Sequence, residues 1–171
     1  MKAQMNIEFI LGVSVLVMII SFIGFSILNH FPSLHMDAVY EMERAKSFEL
    51  SNMLVMDSGL WSSANISNCS RLGLTNGAPY ILNASKIMAL NNCSLADYNL
   101  LRKSTGIESG ADFIINVTLV NFTGGGDTKI SECRPMMVSL TAPKFLSRRF
   151  AVMENLTRQV VRIEVTIFGY S

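Results

Sequence analysis

A run of apolar residues near the start of the chain constrains the fold more than any other feature of the sequence. The run extends from Phe9 to Leu28 and contains no charged side chain. A helix of about 20 residues rises about 30 Å, which matches the hydrocarbon core of a membrane. No small-x-small cleavage site of the kind that ends a secretory signal follows the run. We therefore expect a single-pass membrane helix that stays in the mature protein.

The charge before this helix predicts its orientation. Lys2 and the initiator amine precede the apolar run, and positive charge favours the cytoplasmic side of a membrane. We therefore expect a cytoplasmic N-terminus and a large domain outside the cell.

The part of the chain that would lie outside is rich in acceptor sequences for N-linked glycosylation. Asn-x-Ser/Thr sequons occur more often than the Ser and Thr content of the chain would give by chance. The candidates are Asn65, Asn68, Asn83, Asn92, Asn116, Asn121 and Asn155. They indicate a glycosylated, exported surface; the alternative is a loop composition that is simply rich in Asn and Ser.

Cysteine usage fits the same location. Cys69, Cys93 and Cys133 all lie beyond the apolar run, and none forms the Cys-x-x-Cys pair that is typical of zinc sites. One disulfide and one free thiol is the simplest arrangement, and the sequence leaves all three pairings open. The odd cysteine could equally be an inert buried thiol.

Nothing in the sequence indicates catalysis or nucleic-acid binding. The net charge is about +1, which gives no electrostatic preference for nucleic acid. His30 and His35 are the two histidines, and no Ser/His/Asp or Cys/His set is assembled beyond them. We expect no catalytic residues, metal or cofactor; an enzyme built on a carboxylate pair is an alternative that no motif supports.

Glu8 directly precedes the apolar run, and no basic residue lies within one helical turn of it. Two explanations are open. In the first helical turn, a carboxylate gains about 0.3–1 kcal/mol from the helix macrodipole. Alternatively, the carboxylate pairs with a positive charge on a neighbouring copy, because an unpaired charge within a membrane assembly is costly.

The leader sequence Lys2-Ala3-Gln4-Met5-Asn6-Ile7-Glu8-Phe9 resembles the class III signal peptide of archaeal type IV pilin-like proteins. Gln4 and Glu8 match that pattern, whereas Asn6 stands where Ser is usual and Ala3 where Gly is commoner. The resemblance implies that a prepilin peptidase cuts between Ala3 and Gln4. The new ammonium of Gln4 would then meet Glu8 of another subunit when helices stagger in a filament. The partners implied are the peptidase, other pilin subunits and the membrane.

An amphipathic segment follows the apolar run. Between His35 and Met56, one stripe at spacings of three and four is predicted to pack on a domain. That stripe consists of Val39, Met42, Lys46, Leu50, Met53 and Leu54. Charged and small polar residues, Glu43 and Ser47 among them, are predicted to cover the remaining faces. We therefore expect one long helix over about residues 5–56, bent near Pro32.

The remainder predicts a small α+β head. Two short helices are expected over 84–90 and 95–103, with Ser94 as N-cap and Gly106 as the stop of the second. Trp61 is expected to fill the core beside the end of the long helix. The strands are predicted over 112–122, 136–141, 148–153 and 160–168, from their alternation of apolar and polar residues.

Four arginines in the last part of the chain allow two interpretations. Arg148, Arg149, Arg158 and Arg162 either form a basic patch or lie on a solvated strand face. We favour the second, with Glu154 and Glu164 as partners.

Segments of the head, such as 51–61 and 149–168, also resemble archaeal pilin-like surface proteins. The fold class implied is α+β and type IV pilin-like, with a long N-terminal helix packed on a small antiparallel sheet. The domains would be a cleaved leader (1–3), the long helix (4–56) and an extracellular head (57–171).

Two functions fit these features. The first is a structural subunit, as a major or minor pilin or pseudopilin, of an archaeal type IV pilus-like surface filament. The second is a membrane-anchored, glycosylated ectodomain that does not polymerise and has a binding or adhesive role. The second explains the span and the sequons but gives Gln4 and Glu8 no role.

Overall fold

The structure, a computed structural model, describes two compact units, Met1–Glu41 and Met42–Ser171. The described residues are 2–61, 66, 69–91, 93–107, 111–136, 144–154 and 158–169. For residues 2–6, 32–34 and 95 the description covers the backbone only. Residues of the chain that fall between or beyond these ranges are not described.

Helix α1 spans Lys2–Met56, which confirms the long helix predicted from the sequence. Its backbone is helical through Pro32. The part before Pro32 contains no other proline and only two isolated glycines, Gly12 and Gly24, so no strong helix breaker interrupts it. It is the one helix among the described residues that is long and apolar enough to span a membrane.

The head contains a five-stranded sheet in the order β1-β4-β5-β2-β3. Its strands are β1 Ile81–Asn83, β2 Ala111–Leu119, β3 Thr128–Cys133, β4 Lys144–Glu154 and β5 Gln159–Gly169. β1 pairs parallel to β4, whereas the other neighbours are antiparallel. The sheet is therefore mixed: the predicted antiparallel pairing holds for β4, β5, β2 and β3 but is wrong for β1 at this edge.

The central strand β5 shows why the sequence forms this sheet. Val161, Ile163, Val165 and Ile167 alternate with polar residues and are fully buried. A period of two places these side chains on one face, where they meet the apolar side chains of β2. The predictions for β2, β4 and β5 are confirmed with small shifts at their ends.

The predicted strand at 136–141 falls almost entirely outside the described residues. Among the described residues, the structure contains a strand that the sequence pattern did not indicate, β3, Thr128–Cys133. β3 pairs with β2, and the register between them shifts at Val117 and Thr118.

The face of α1 that packs on the sheet differs from the prediction by about one residue. Glu43 and Ser47 are buried, although they were expected on the solvent side, and Ser51 is buried as well. Met42 is 47% exposed, although it was placed on the buried stripe. Leu50 and Leu54 are buried as predicted.

Small hydroxyl residues account for this rotation, because they allow close approach of α1 to the strands. The Ser47 hydroxyl lies 3.3 Å from the carbonyl oxygens of both Phe145 and Val165. The Ser51 hydroxyl bonds to that of Ser147 at 2.8 Å. Buried hydroxyls with such partners avoid the cost of unsatisfied polar groups.

Two short helices complete the head. α2, Ala84–Leu90, begins after Asn83, whose side-chain oxygen accepts from two backbone N–H groups. α3, Leu95–Ser104, begins with a capping box between Ser94 and Asp97. Both helices and the Ser94 cap are confirmed, and Gly106 follows α3 with a positive φ of 69°.

Candidate functional site: the apolar helix and the surface of the head

The first half of α1 is exposed on every side. Each apolar side chain from Ile7 to Phe31 is between 42% and 73% exposed. Two polar side chains in this stretch form hydrogen bonds with backbone carbonyl groups of the same helix. Ser14 donates to the carbonyl of Ile10, and His30 bonds to the carbonyl of Ser26. Such a surface is not stable in water and needs lipid or other apolar helices around it.

The residues predicted for processing and assembly lie at the start of this helix. Ala3 and Gln4 belong to the α1 backbone, and their side chains lie outside the described set. Glu8 is exposed and lies one helical turn after Gln4, about 6 Å along the axis. The predicted ion pair joins two copies of the chain and stays a prediction.

The cysteines form one disulfide, as the simplest arrangement predicted. Cys93 is bonded to Cys133, 40 residues later, and this bond joins the α2–α3 connection to β3. Cys69 is a free, buried thiol, and burial raises its pKa. A thiol held protonated in this way is a poor nucleophile.

The end of α1 is held by a compact polar cluster. The carboxylate of Asp57 accepts a hydrogen bond from the backbone N–H of Gly59 at 2.9 Å. This bond is the main cause of the lowered pKa of Asp57. The same carboxylate forms an ion pair with Arg71 at 2.8 Å. Lys86 is buried, donates to the carbonyl of Ser58, and lies 5.5 Å from the Trp61 ring. A cation at a helix C-terminus complements the macrodipole. These contacts indicate a structural role.

Trp61 is packed against the core, as predicted, and its indole N–H donates to the carbonyl of Gly73 at 2.8 Å. Gly73 has no room for a side chain, because a Cβ there would lie 2.5 Å from the backbone nitrogen of Gly59. The joint between α1 and the following segment is therefore tightly packed.

A second buried network links α3 to β2. The hydroxyl of Tyr98 donates to Asp112 at 2.9 Å and accepts from the backbone N–H of Phe113 at 2.9 Å. Arg102 pairs with the same carboxylate at 3.2 Å. Burial raises the pKa of Tyr98 well above its usual range, so this phenol stays neutral.

Glu43 is a buried carboxylate that sequence reasoning placed on the solvent face. It is 7% exposed and lies over Gly169, where any side chain would collide with it. Burial raises its pKa, and the charge of Lys46 opposes that rise. Two features of the sequence could have predicted that Glu43 is buried. One is the glycine at the end of β5, and the other is the four-residue helical spacing between Glu43 and Ser47.

Two of the four predicted arginines, Arg148 and Arg162, pair with acidic residues on the solvent side of the sheet, whereas Arg149 bonds instead to Asn52 of α1 at 2.9 Å. Glu164 accepts a hydrogen bond from Arg148 at 2.7 Å, and its carboxylate lies 3.2 Å from the Nε of Arg162, within ion-pair distance. Arg162 also pairs with Asp127 at 2.8 Å. Because Glu164 and Asp127 neutralise the charges of Arg148 and Arg162, this face fits the predicted solvated surface better than a basic patch. Glu154, the other predicted partner, accepts instead from Asn76.

Three open hollows lie on the described surface, lined by residues of α1, of the loop after β2, and of β4. Their volumes are about 280, 400 and 340 Å³. Within the described ranges, no three His, Cys, Asp or Glu side chains converge to hold a metal ion. The hollow of about 400 Å³ lies beside Asn121 and Phe122, at the ends of β2 and β5.

Three predicted glycosylation sites fall within the described residues. Asn83 caps α2, Asn116 lies within β2, and Asn121 lies in the loop after β2. The other four, Asn65, Asn68, Asn92 and Asn155, lie outside the described residues.

Comparison of the chain with protein families, with curated proteins and with solved structures found no match.

Proposed function

We propose that this protein is a structural subunit, major or minor, of a type IV pilus-like surface filament. A prepilin peptidase cuts between Ala3 and Gln4. The apolar half of α1 then holds the subunit in the membrane and later packs against other pilin subunits in the filament, and the head stays outside the cell.

The observation that carries this proposal is the unequal burial of α1. Its apolar side chains from Ile7 to Phe31 are exposed all round, whereas Leu50, Leu54 and Val55 are buried in the head. A helix that is apolar on every face is stable in lipid, or within a bundle of similar helices. A filament built around such helices would use both environments in turn.

The Gln4–Glu8 spacing supports a defined stacking register. Cleavage would place an ammonium on Gln4, one turn before the exposed carboxylate of Glu8. Within a helix bundle, the carboxylate of one subunit can approach the ammonium of the next. Because an unpaired charge in an apolar environment is expensive, this pairing favours one register over others.

The test replaces Glu8 by Gln or Ala in the full chain and compares it with Glu49→Gln. Glu49 is an exposed glutamate on the same helix, beyond the apolar run. We expect both Glu8 variants to be processed and membrane-bound but largely absent from filaments, as judged by electron microscopy with labelled protein. The Glu49→Gln variant should be incorporated normally.

Mass spectrometry of the mature N-terminus provides the second readout. The proposal expects Gln4 as the first residue, free or cyclised to pyroglutamate. An intact Met1, together with unchanged behaviour of the Glu8 variants, would contradict the filament role. The protein would then be the non-polymerising anchored ectodomain, for which one apolar helix is sufficient.

A further inference from the structure

The three described sequons differ in how well they can serve as glycosylation acceptors. An acceptor asparagine must present its amide nitrogen at the surface, on a backbone that is free to enter an enzyme cleft. Loops meet this requirement more easily than paired strands or capped helix ends.

Asn116 and Asn83 do not meet it. Asn116 lies in β2 between two paired neighbours, opposite Glu132 of β3 and Glu164 of β5. Its side-chain oxygen is buried, and the Thr118 of its sequon is 8% exposed. Asn83 is half-buried, and its side-chain oxygen caps α2 through the N–H groups of Ser85 and Lys86.

Asn121 meets the requirement. All three residues of its sequon, Asn121, Phe122 and Thr123, are exposed, and Phe122 is 78% exposed. They follow β2 in a loop that continues through three consecutive glycines, residues 124–126. Gly124 has a positive φ of 89°, which turns the chain sharply.

The local hydrogen bonds fix which way the Asn121 amide points. Its oxygen Oδ1 accepts from the backbone N–H of Thr123 at 2.9 Å and from the Thr123 hydroxyl at 2.6 Å. Because a backbone N–H can only donate, the atom facing Thr123 is the oxygen. The nitrogen Nδ2 therefore faces the other way, towards Gly125.

Gly125 leaves space at this nitrogen. A Cβ on Gly125 would lie 2.5 Å from Asn121 Nδ2. At Gly126, by contrast, a Cβ would meet nothing within 4 Å. Neither residue has a positive φ, so alanine fits the backbone at both positions. The two glycines therefore differ in whether a side chain would displace the acceptor amide.

The neighbouring surface has room for a sugar. A hollow of about 400 Å³ adjoins Asn121 and is lined by polar side chains of the β3 and β5 ends together with Phe122. Those polar residues are Thr128, Arg158 and Gln159. Sugar hydroxyls can bond to such groups, and an aromatic ring can cover a sugar face.

We propose that Asn121 is the N-glycosylated residue among the described sequons. Its Nδ2 attacks the anomeric carbon of an oligosaccharide carried on a lipid phosphate. A C–N bond forms as the C–O bond to phosphate breaks; the lipid phosphate leaves with the electron pair, and the amide loses one proton. No oxidation or reduction is involved. This inference rests on the export of the head that the proposed function contains.

The experiment uses the full chain purified from membranes of cells that export and glycosylate it. Glycopeptide mass spectrometry measures the occupancy of Asn121, Asn83 and Asn116. We expect Asn121 to be occupied and the other two to be unmodified. The intact mass should fall by one glycan in Asn121→Gln and stay unchanged in Asn116→Gln.

The glycine pair tests the geometry without changing the sequon. Gly125→Ala should lower the occupancy of Asn121 several-fold, because the side chain must rotate away from the new methyl group. Gly126→Ala should leave occupancy at the wild-type level. An unmodified Asn121 in the wild type would overturn the inference, and equal occupancy in the two variants would overturn the argument from the orientation of the amide.

Protease treatment of intact cells separates this failure from failure of the proposed function. If the head is accessible to protease but Asn121 is unmodified, the glycan inference alone is wrong. If the head is protected from protease, the export on which both rest is wrong. Filament incorporation of Asn121→Gln supplies an independent readout of the proposed function.

Discussion

Tyr98 and Glu43 are buried polar side chains with opposite surroundings. Tyr98 has hydrogen-bond partners on two sides, a carboxylate and a backbone N–H. Glu43 is buried over a glycine, and burial raises its pKa. The first arrangement stabilises the head, whereas the second lowers its stability at neutral pH.

Replacing Tyr98 with Phe should destabilise the head by about 1–3 kcal/mol, because the backbone N–H of Phe113 loses its partner. Urea unfolding measures this change. The control is Tyr80→Phe, since Tyr80 is 45% exposed; we expect a change within about 0.5 kcal/mol there. Equal effects of the two substitutions would show that the buried network contributes little.

The pH dependence of stability tests Glu43. Its folded-state pKa is raised above the ordinary value of 4.5, so the native state keeps a proton that the unfolded chain has lost. This contribution to stability is present below 4.5 and is lost as the pH rises through the raised pKa. Glu43→Gln should remove that decline. The free energy of unfolding of the variant should therefore increase relative to that of the wild type as the pH rises.

Unfolding curves measured from acid to neutral pH reveal this difference. Glu49→Gln removes a carboxylate from an exposed position of the same helix and should follow the wild-type pH profile. Parallel profiles for Glu43→Gln and wild type would mean that the raised pKa does not couple to folding.

At the scale of elements, the strands show where sequence patterns succeed and fail. β5 alternates strictly between apolar and polar residues, so its position could be predicted. β3, with the sequence Thr-Lys-Ile-Ser-Glu-Cys, has one aliphatic side chain and a half-exposed pattern, so nothing distinguished it from a loop. β1 has three residues, and its parallel pairing depends on the distant β4.

The face of α1 could not be read from hydrophobicity alone. The contact with the sheet uses Ser47 and Ser51, whose small size allows close approach. A prediction from the hydrophobic stripe selects Met42 and Lys46 rather than these serines. The predicted contact face is therefore rotated about the helix axis relative to the observed one. Only the positions of the strands decide between the two faces.

The disulfide between Cys93 and Cys133 is an element-scale constraint, because it joins the α2–α3 connection to β3. Closing a loop of 40 residues is expected to stabilise the fold by about 3–4 kcal/mol. The double variant Cys93→Ser/Cys133→Ser should lose about this amount in urea unfolding, whereas Cys69→Ala keeps the bond and should lose less.

Alkylation before and after unfolding checks the thiol count. The native protein should resist modification, because Cys69 is buried. Without reductant, the unfolded chain should gain one alkyl group, and with reductant three. A second alkyl group without reductant would contradict the disulfide.

At the scale of the whole molecule, the sequence predicted the long helix and the α+β head, because their patterns are local. The pairing of the cysteines and the order of the strands depend on contacts between distant segments, which a single sequence does not display. The site predictions at Gln4 and Glu8 concern contacts between copies, so the fold of one chain leaves them as predictions.

The distribution of buried residues predicts that the head folds without the apolar half of α1. Every described residue of the hydrophobic core lies at Leu50 or later, within the unit Met42–Ser171. The apolar side chains from Ile7 to Phe31 are exposed and belong to the other unit, Met1–Glu41. Their removal should therefore improve solubility at little cost in stability.

A fragment that begins at Met42 should be soluble without detergent and should unfold in one cooperative transition, because tertiary contacts hold the rest of α1 on the sheet. Size-exclusion chromatography and thermal circular dichroism measure these properties. A chain that lacks only residues 1–3 keeps the apolar run and should still require detergent. If the fragment aggregates or melts without cooperativity, the first half of α1 contributes to folding of the head, and the two units are not independent.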